Sequence, residues 1–214
     1  MQLVGMLDSP YVRRAAISLR MLGIPFEHRP LSVFRDFDTF REVNPLVKAP
    51  TLICDDGCVL VDSSLIIDYA EMLAGRSLMP SEPDARRHAL RLTGLALVAC
   101  EKAVQQFYEL NRAPDLQDAA WLQRVHKQLR DACKLLDGTL ASAPADRWLC
   151  GDTPTQADIT VGVAWTFAQI VAAEIVSPHD YPAFADFVAR AEQLPAFTTL
   201  PPLVSQQPDR GPPP

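Results

Sequence analysis

Apolar and polar positions follow two different rhythms along the first third of the chain. Leu3, Val4 and Met6 form a short apolar run. Val12, Ala15, Ala16, Leu19 and Leu22 then recur at intervals of three and four, the period of a helix with one buried stripe. Arg13, Arg14 and Arg20 fall between those positions and are expected on the solvent side, and Gly23 followed by Pro25 stops the helix. Residues 26–31 predict a second strand, parallel to the first because a helix lies between them in a right-handed crossover. A short helix over 36–43 comes next. Residues 50–54 and 58–61 flank Asp55-Asp56-Gly57, a hairpin loop in which Gly57 takes positive φ, so these two strands run antiparallel. From Ser63, a stripe of Leu65, Ile66, Tyr69, Ala70 and Leu73 marks a further helix ending at Gly75.

The rhythm breaks over 77–83, where Pro80 and Pro83 punctuate a stretch with no period, as in a linker. Beyond it only helical spacing is found. Leu90, Thr93, Leu97, Cys100, Val104 and Phe107 predict one long helix over 84–112, and Pro114 and Asp115 open a second that runs to about 140. Thr155 and Asp158 form a capping box, with Asp in place of Glu, ahead of a third helix bearing Ile159, Val163, Trp165 and Phe167; a fourth covers 182–193. The pattern therefore predicts an α/β domain over 1–76, a linker over 77–83, an all-α domain over 84–200 and a Pro-rich tail over 201–214.

Composition narrows the function classes. The chain has 214 residues and a formal net charge of −6, which argues against nucleic-acid or anionic-membrane partners, since both require concentrated Lys and Arg. No run of 18 apolar residues and no basic, apolar leader occurs, so a cytoplasmic, membrane-free protein is expected. Five cysteines without a CxxC pair and four scattered histidines predict neither a disulfide framework nor a metal site. Cys54 and Cys58 face one another across the predicted hairpin and are expected to remain free thiols.

Chemistry is concentrated where the first strand meets the first helix. Ser9 is a preferred N-cap residue and Pro10 is suited to the first helical position, so a hydroxyl and the positive end of a helix dipole face the same point. Such a point favours an anion, a thiolate included.

Ser9-Pro10-Tyr11-Val12-Arg13-Arg14, then the run from Asn44 to Leu52, then Asp62-Ser63-Ser64 opening a helix, then Thr155-Gln156-Ala157-Asp158 in an all-α half, resemble a cytosolic glutathione S-transferase over residues 1 to about 200. The start is most similar to the serine-type bacterial proteins and the plant tau class. The resemblance implies a thioredoxin-like first domain with Ser9 where thiol-disulfide relatives carry Cys, which excludes exchange through a protein cysteine at that position.

It also implies roles for particular residues. Ala49-Pro50 would be a cis peptide that turns the Ala49 N–H and C=O outward to pair with the glutathione backbone. Ser63 would hold the γ-glutamyl carboxylate, Asp62 the ammonium, and Lys48, with Arg35 as a second candidate, the glycyl carboxylate. Ser9 would donate to the thiolate; a thiol pKa lowered by about two units gives about 25-fold more thiolate at pH 7, most of which is cancelled by lower nucleophilicity. Tyr11, Phe107, Tyr108 and Trp165 are candidate walls of an electrophile pocket, which in this family lies between the two domains. The implied activity is conjugation of glutathione, as co-substrate without a metal, to an electrophilic, mostly apolar small molecule. Isomerase, dehalogenase or peroxidase chemistry at the same thiolate and a non-catalytic binding or stress role stand as alternatives. A homodimer is implied, with Tyr69, Met72, Arg86, Arg87 and Arg91 on the contact surface.

Overall fold

A computed structural model describes residues 1–144 and 146–202, and these form two compact units, 1–78 with the segment from 195 onward, and 79–194. The sequence pattern assigned everything up to 200 to the helical domain, whereas here the last helix belongs with the first unit. Most of the Pro-rich tail lies outside the described residues.

The first unit is a four-stranded sheet, β1 (Gln2–Val4), β2 (Glu27–Arg29), β3 (Thr51–Ile53) and β4 (Val59–Val61), in the order β2-β1-β3-β4. β1 and β2 are parallel, and the β1–β3 and β3–β4 pairs antiparallel, which is the arrangement the crossover and the hairpin require. Helices α1 (Pro10–Leu22), α2 (Phe37–Val43) and α3 (Ser63–Ala74) complete it. Gly23 and Gly75 close α1 and α3 in the left-handed conformation.

α1 is not an amphipathic helix with a polar back. Ten of its thirteen residues are buried, and Arg13 and Arg14, expected in solvent, are 2% and 3% exposed. The reason is that α1 is covered on several sides: it packs on β1, on α3, and on a short terminal helix, α8 (Pro195–Thr198), which periodicity did not predict. Arg13 Nε donates to the Leu200 carbonyl at 2.9 Å, and its guanidinium lies 5.4 Å from the Phe197 ring centre. This contact holds the end of the described chain on the first unit.

The second unit contains α4 (Pro83–Leu110), α5 (Ala119–Ala141), α6 (Gln156–Val171) and α7 (Pro182–Ala191). Two expectations are corrected. Pro114 opens only a 3₁₀ turn over Pro114–Leu116; α5 starts later because Asp118 caps it, its carboxylate accepting from the Ala120 and Trp121 N–H groups at 2.9 and 3.0 Å. On α4 Thr93 and Cys100 are buried as the stripe predicts, together with Leu92 and the small residues Ala89, Ala96, Ala99 and Ala103, whereas Leu97, Val104 and Phe107 are half-buried and Leu90 is exposed. Small side chains allow α4 to lie close to α5 and α6. The capping box at Thr155 is present: Asp158 accepts from the Thr155 N–H and hydroxyl, both at 2.7 Å, and its other oxygen takes the Leu149 N–H at 2.8 Å. Burial pushes the Asp158 carboxyl up while these hydrogen bonds pull it down, and burial prevails. No helix among the described residues is long and apolar enough to cross a membrane.

Candidate functional site

Three short pieces of backbone meet in the first unit where β1 and β3 give way to loops. The loop after β1 carries Gly5 at φ 136°, and a Cβ there would stand 2.6 Å from Val12 Cγ2 and 3.1 Å from the Ala49 side chain. Only glycine therefore lets the β1 end, the first turn of α1 and the segment before β3 approach so closely.

Ser9 is the N-cap of α1 as expected, with extended backbone, φ −65° and ψ 125°. Its Oγ takes the Val12 N–H at a long 3.5 Å, so the oxygen serves the helix while the hydroxyl proton has no acceptor among the described residues. The Ala49–Pro50 peptide is cis. Asn44 prepares this segment: its side-chain Nδ2 donates to Thr51 Oγ1 at 2.9 Å and its side-chain Oδ1 takes the Leu46 N–H at 3.0 Å, while Thr51 Oγ1 donates to the Lys48 carbonyl at 2.6 Å. Neither the N–H nor the C=O of Ala49 has a partner among the described residues. This is the hydrogen-bonding face of a strand that lacks a neighbour, suited to an extended peptide.

Asp62 caps α3 from positive φ, 74°, its carboxylate holding the Ser64 N–H at 2.7 Å. That bond turns Ser63 into the first helical position, where its backbone N–H is one of the donors a helix leaves unpaired. The Ser63 side chain is buried and its Oγ accepts from Arg14 Nη1 at 3.0 Å; a second bond at 3.0 Å goes from the same nitrogen to Ser64 Oγ. Arg14 is the site residue that periodicity missed. The available signal was the run from Ala15 to Leu19, which contains no charged residue and so marks a helix apolar on more than one stripe.

Lys48 stands exposed on the loop before the cis bond, and Arg35 stands exposed between β2 and α2, its backbone N–H held by Ser32 Oγ at 3.2 Å. Tyr11 is half-buried on the first turn of α1. In the other unit Phe107 and Tyr108 pack edge to face with ring centres 6.1 Å apart, and burial pushes the Tyr108 phenol up. Trp165 is only 5% exposed and packs into the helical core, its ring 4.7 Å from Phe184 and 6.3 Å from Tyr181. No disulfide joins any of the five cysteines; Cys54 is buried, and burial raises its thiol pKa. Among the described residues no group of three or more His, Cys, Asp and Glu side chains is placed to hold a metal ion.

The first unit thus offers a hydroxyl at one helix start, an unpaired strand edge, and a second helix start with a hydroxyl and a free N–H. Together they can hold an extended ligand with a carboxylate at one end and an anion at its middle. Residues 3–78 match the family model of the glutathione S-transferase N-terminal domain, and residues 119–190 that of the glutathione S-transferase C-terminal domain. An uncharacterised glutathione S-transferase-like protein of Escherichia coli, YibF, is 27% identical over 165 residues, 77% of this chain and 80% of that protein. Among solved structures, a glutathione S-transferase of Methylobacterium radiotolerans in complex with glutathione sulfonate is 27% identical and superposes with a TM-score of 0.86 over 96% of both chains. A glutathione transferase family member of Pseudomonas fluorescens with bound glutathione is 28% identical, with a TM-score of 0.78 over 95% of this chain and 99% of that one. The chain belongs to the cytosolic glutathione S-transferase superfamily.

Proposed function

We propose that this protein is a glutathione transferase that binds glutathione on its first unit, holds the thiolate through Ser9 and adds it to an electrophilic, mostly apolar small molecule. The observation that carries the reading is the pair of unengaged groups flanking Gly5: the Ser9 hydroxyl proton and the Ala49 backbone N–H and C=O. Glutathione presents complementary chemistry, an extended peptide with a thiol at its centre and carboxylates at both ends. The two solved relatives that hold glutathione or its sulfonate support the choice of ligand.

In this reading Ala49 pairs with the cysteinyl backbone, Pro50 keeps that edge open, and Ser63 receives the γ-glutamyl carboxylate on its hydroxyl and N–H. Asp62 lies beside the ammonium, and Lys48, with Arg35 next to it in rank, attracts the glycyl carboxylate. Ser9 donates its proton to the sulfur, and the dipole of α1 adds to the stabilisation of negative charge. The gain in thiolate at pH 7 is partly offset by lower nucleophilicity, so most of the rate enhancement comes from holding the electrophile against the sulfur.

Of the four candidate aromatics, Tyr11 on the first unit and Phe107 and Tyr108 on the second keep exposed surface, whereas Trp165 is enclosed in the helical core and supports that unit from within. The protein is proposed to work in the cytoplasm as a two-fold dimer. Leu65, Met72 and Leu73 on α3 and Leu90 on α4 are exposed apolar side chains, which a partner subunit would cover. Calorimetry with glutathione, joined to a product screen against chlorodinitrobenzene, isothiocyanates and hydroperoxides, tests the reading. Micromolar to millimolar binding with a conjugate as product supports it, and absence of glutathione binding overturns it.

A further inference from the structure

A guanidinium almost wholly removed from water and bonded to two hydroxyl oxygens is an unusual use of an arginine. Arg14 Nη1 carries two hydrogens, and they go one each to Ser63 Oγ and Ser64 Oγ, both at 3.0 Å. A tether between α1 and α3 needs no such choice of acceptors, since carbonyl groups at helix ends serve equally well, as Leu200 does for Arg13.

The consequence for Ser63 is directional. A hydroxyl has one proton, and an oxygen that accepts from a guanidinium keeps that proton for another acceptor. Accepting from a cation also polarises the O–H bond, so the proton is a stronger donor than that of a free serine. Among the described residues nothing receives it, and Ser63 stands at the first position of α3 with its backbone N–H free as well. An anion accepting from both groups would lie within about 6 Å of the Arg14 nitrogen, with only the serine oxygen between them.

We infer that Arg14 is a positioning residue for the substrate carboxylate: it acts through the Ser63 hydroxyl, fixing and polarising it, and makes the protein selective for a ligand with an α-carboxylate on its γ-glutamyl end. The inference rests on the glutathione reading and assigns to the second arginine of the Ser9-Pro10-Tyr11-Val12-Arg13-Arg14 stretch a part in binding without contact with the ligand. Arg13, its neighbour, donates to the Leu200 carbonyl and lies over the Phe197 ring, contacts that hold the α8 segment.

The test compares glutathione with its analogue lacking only the γ-glutamyl α-carboxylate, γ-aminobutyryl-cysteinyl-glycine, by calorimetry on the wild type, Arg14→Lys and Arg14→Met. The wild type should prefer glutathione by about 100-fold. Arg14→Met should weaken glutathione about 10- to 30-fold and the analogue less than about 2-fold, with Arg14→Lys in between, because an ammonium keeps the charge but not the two-pronged geometry. KM for glutathione should rise with kcat at saturation unchanged, a split that loss of fold would not produce. Equal loss for both ligands, or no loss for either, overturns the inference while leaving the glutathione reading intact. A wild type that fails to bind glutathione overturns both. Should the Arg14 variants not fold, nuclear magnetic resonance of ¹⁵N-arginine-labelled wild type decides: the Arg14 guanidinium signals should shift with glutathione and not with the analogue, and identical responses to the two ligands count against the role.

Discussion

The two units keep their shape by different means. In the helical unit the long helices meet through apolar side chains such as Ala96, Ala99, Leu92, Leu129 and Val163, and a buried carboxylate, Asp158, closes the chain at the start of α6. In the first unit the strands are only three residues long, and the segments that carry the site are irregular backbone fixed by polar side chains: Asn44 and Thr51 below the cis peptide, Asp62 at the start of α3, Arg14 between α1 and α3. Apolar packing tolerates changes in shape and loses a fraction of its energy when one side chain shrinks. A polar tether is all or nothing, and it sets atom positions to within tenths of an ångström. The unit built to hold packing and the unit built to hold a ligand geometry should therefore fail in different ways.

The largest expected effect is on stability and lies in the helical unit. Replacing Asp158 with alanine strips the acceptor from three donors, the Thr155 N–H and hydroxyl and the Leu149 N–H, and leaves them at a buried helix start. Unsatisfied groups of this kind cost about 1–3 kcal/mol each, and burial of the carboxylate gives part of that back, so a net loss of about 3 kcal/mol is expected in urea unfolding. Glutathione affinity of the protein that remains folded should be unchanged. A variant that unfolds at the wild-type midpoint would show that the box contributes nothing to the helical unit.

Ser9→Ala should do the reverse. The N-cap bond it removes is already long, 3.5 Å, so stability should fall by less than about 1 kcal/mol. Turnover should fall about 10- to 100-fold, with the pKa of bound thiol raised by about one to two units and glutathione affinity nearly constant. Ultraviolet titration of the bound thiolate alongside steady-state kinetics checks this, and an alanine variant with unchanged thiol pKa and turnover would reduce Ser9 to a helix cap.

Lys48→Ala sharpens the same contrast at smaller scale. Its ammonium stands exposed, where an ion pair is worth about 0.2–1 kcal/mol, so glutathione should bind at most about fivefold more weakly, and the difference should vanish in high salt. A salt-independent loss would mean that Lys48 supports the loop and not the ligand.

What sequence could reveal follows the same division. Ser9-Pro10, the Asp55-Asp56-Gly57 hairpin and the Thr155/Asp158 box are local, each a side chain acting on backbone within a few residues, and all three stand where spacing puts them. The cis bond at Pro50 entered through resemblance alone. The burial of Arg13 and Arg14 depends on Leu200, just after α8, and on Ser63 of α3, which arrive from 187 and 49 residues away to cover the helix, and no periodicity within α1 reports that. For α4 the period is right and Thr93 and Cys100 are buried with it, but Leu90 is exposed and the buried face is shared with Leu92 and a row of alanines, because close helix packing favours small side chains. The start of α5 moved because proline only permits a helix start, whereas the Asp118 carboxylate supplies the missing acceptors.

The thiols separate the two units through solvent access. Cys58 is exposed at the end of the hairpin, whereas Cys133 lies in the core of the helical unit, where burial pushes its thiol up to about 12. At pH 8 Ellman's reagent should modify Cys58 within seconds and leave Cys133 untouched until the helical unit unfolds, since the thiolate is the reacting species. The raised value has a second consequence. A thiol whose folded pKa exceeds its unfolded value of about 8.5 stabilises the folded state fully below that pH, and the contribution is lost as pH rises through the folded value. Stability should then decline from about pH 8.5 upward by at most about 1.4 kcal/mol per unit from this residue, and Cys133→Ala should flatten that part of the slope while costing some packing at neutral pH. Labelling of Cys133 in the native protein at the rate of Cys58 would mean that the helical core opens on the timescale of the reagent, and the contrast between a packed unit and a tethered one would have to be given up.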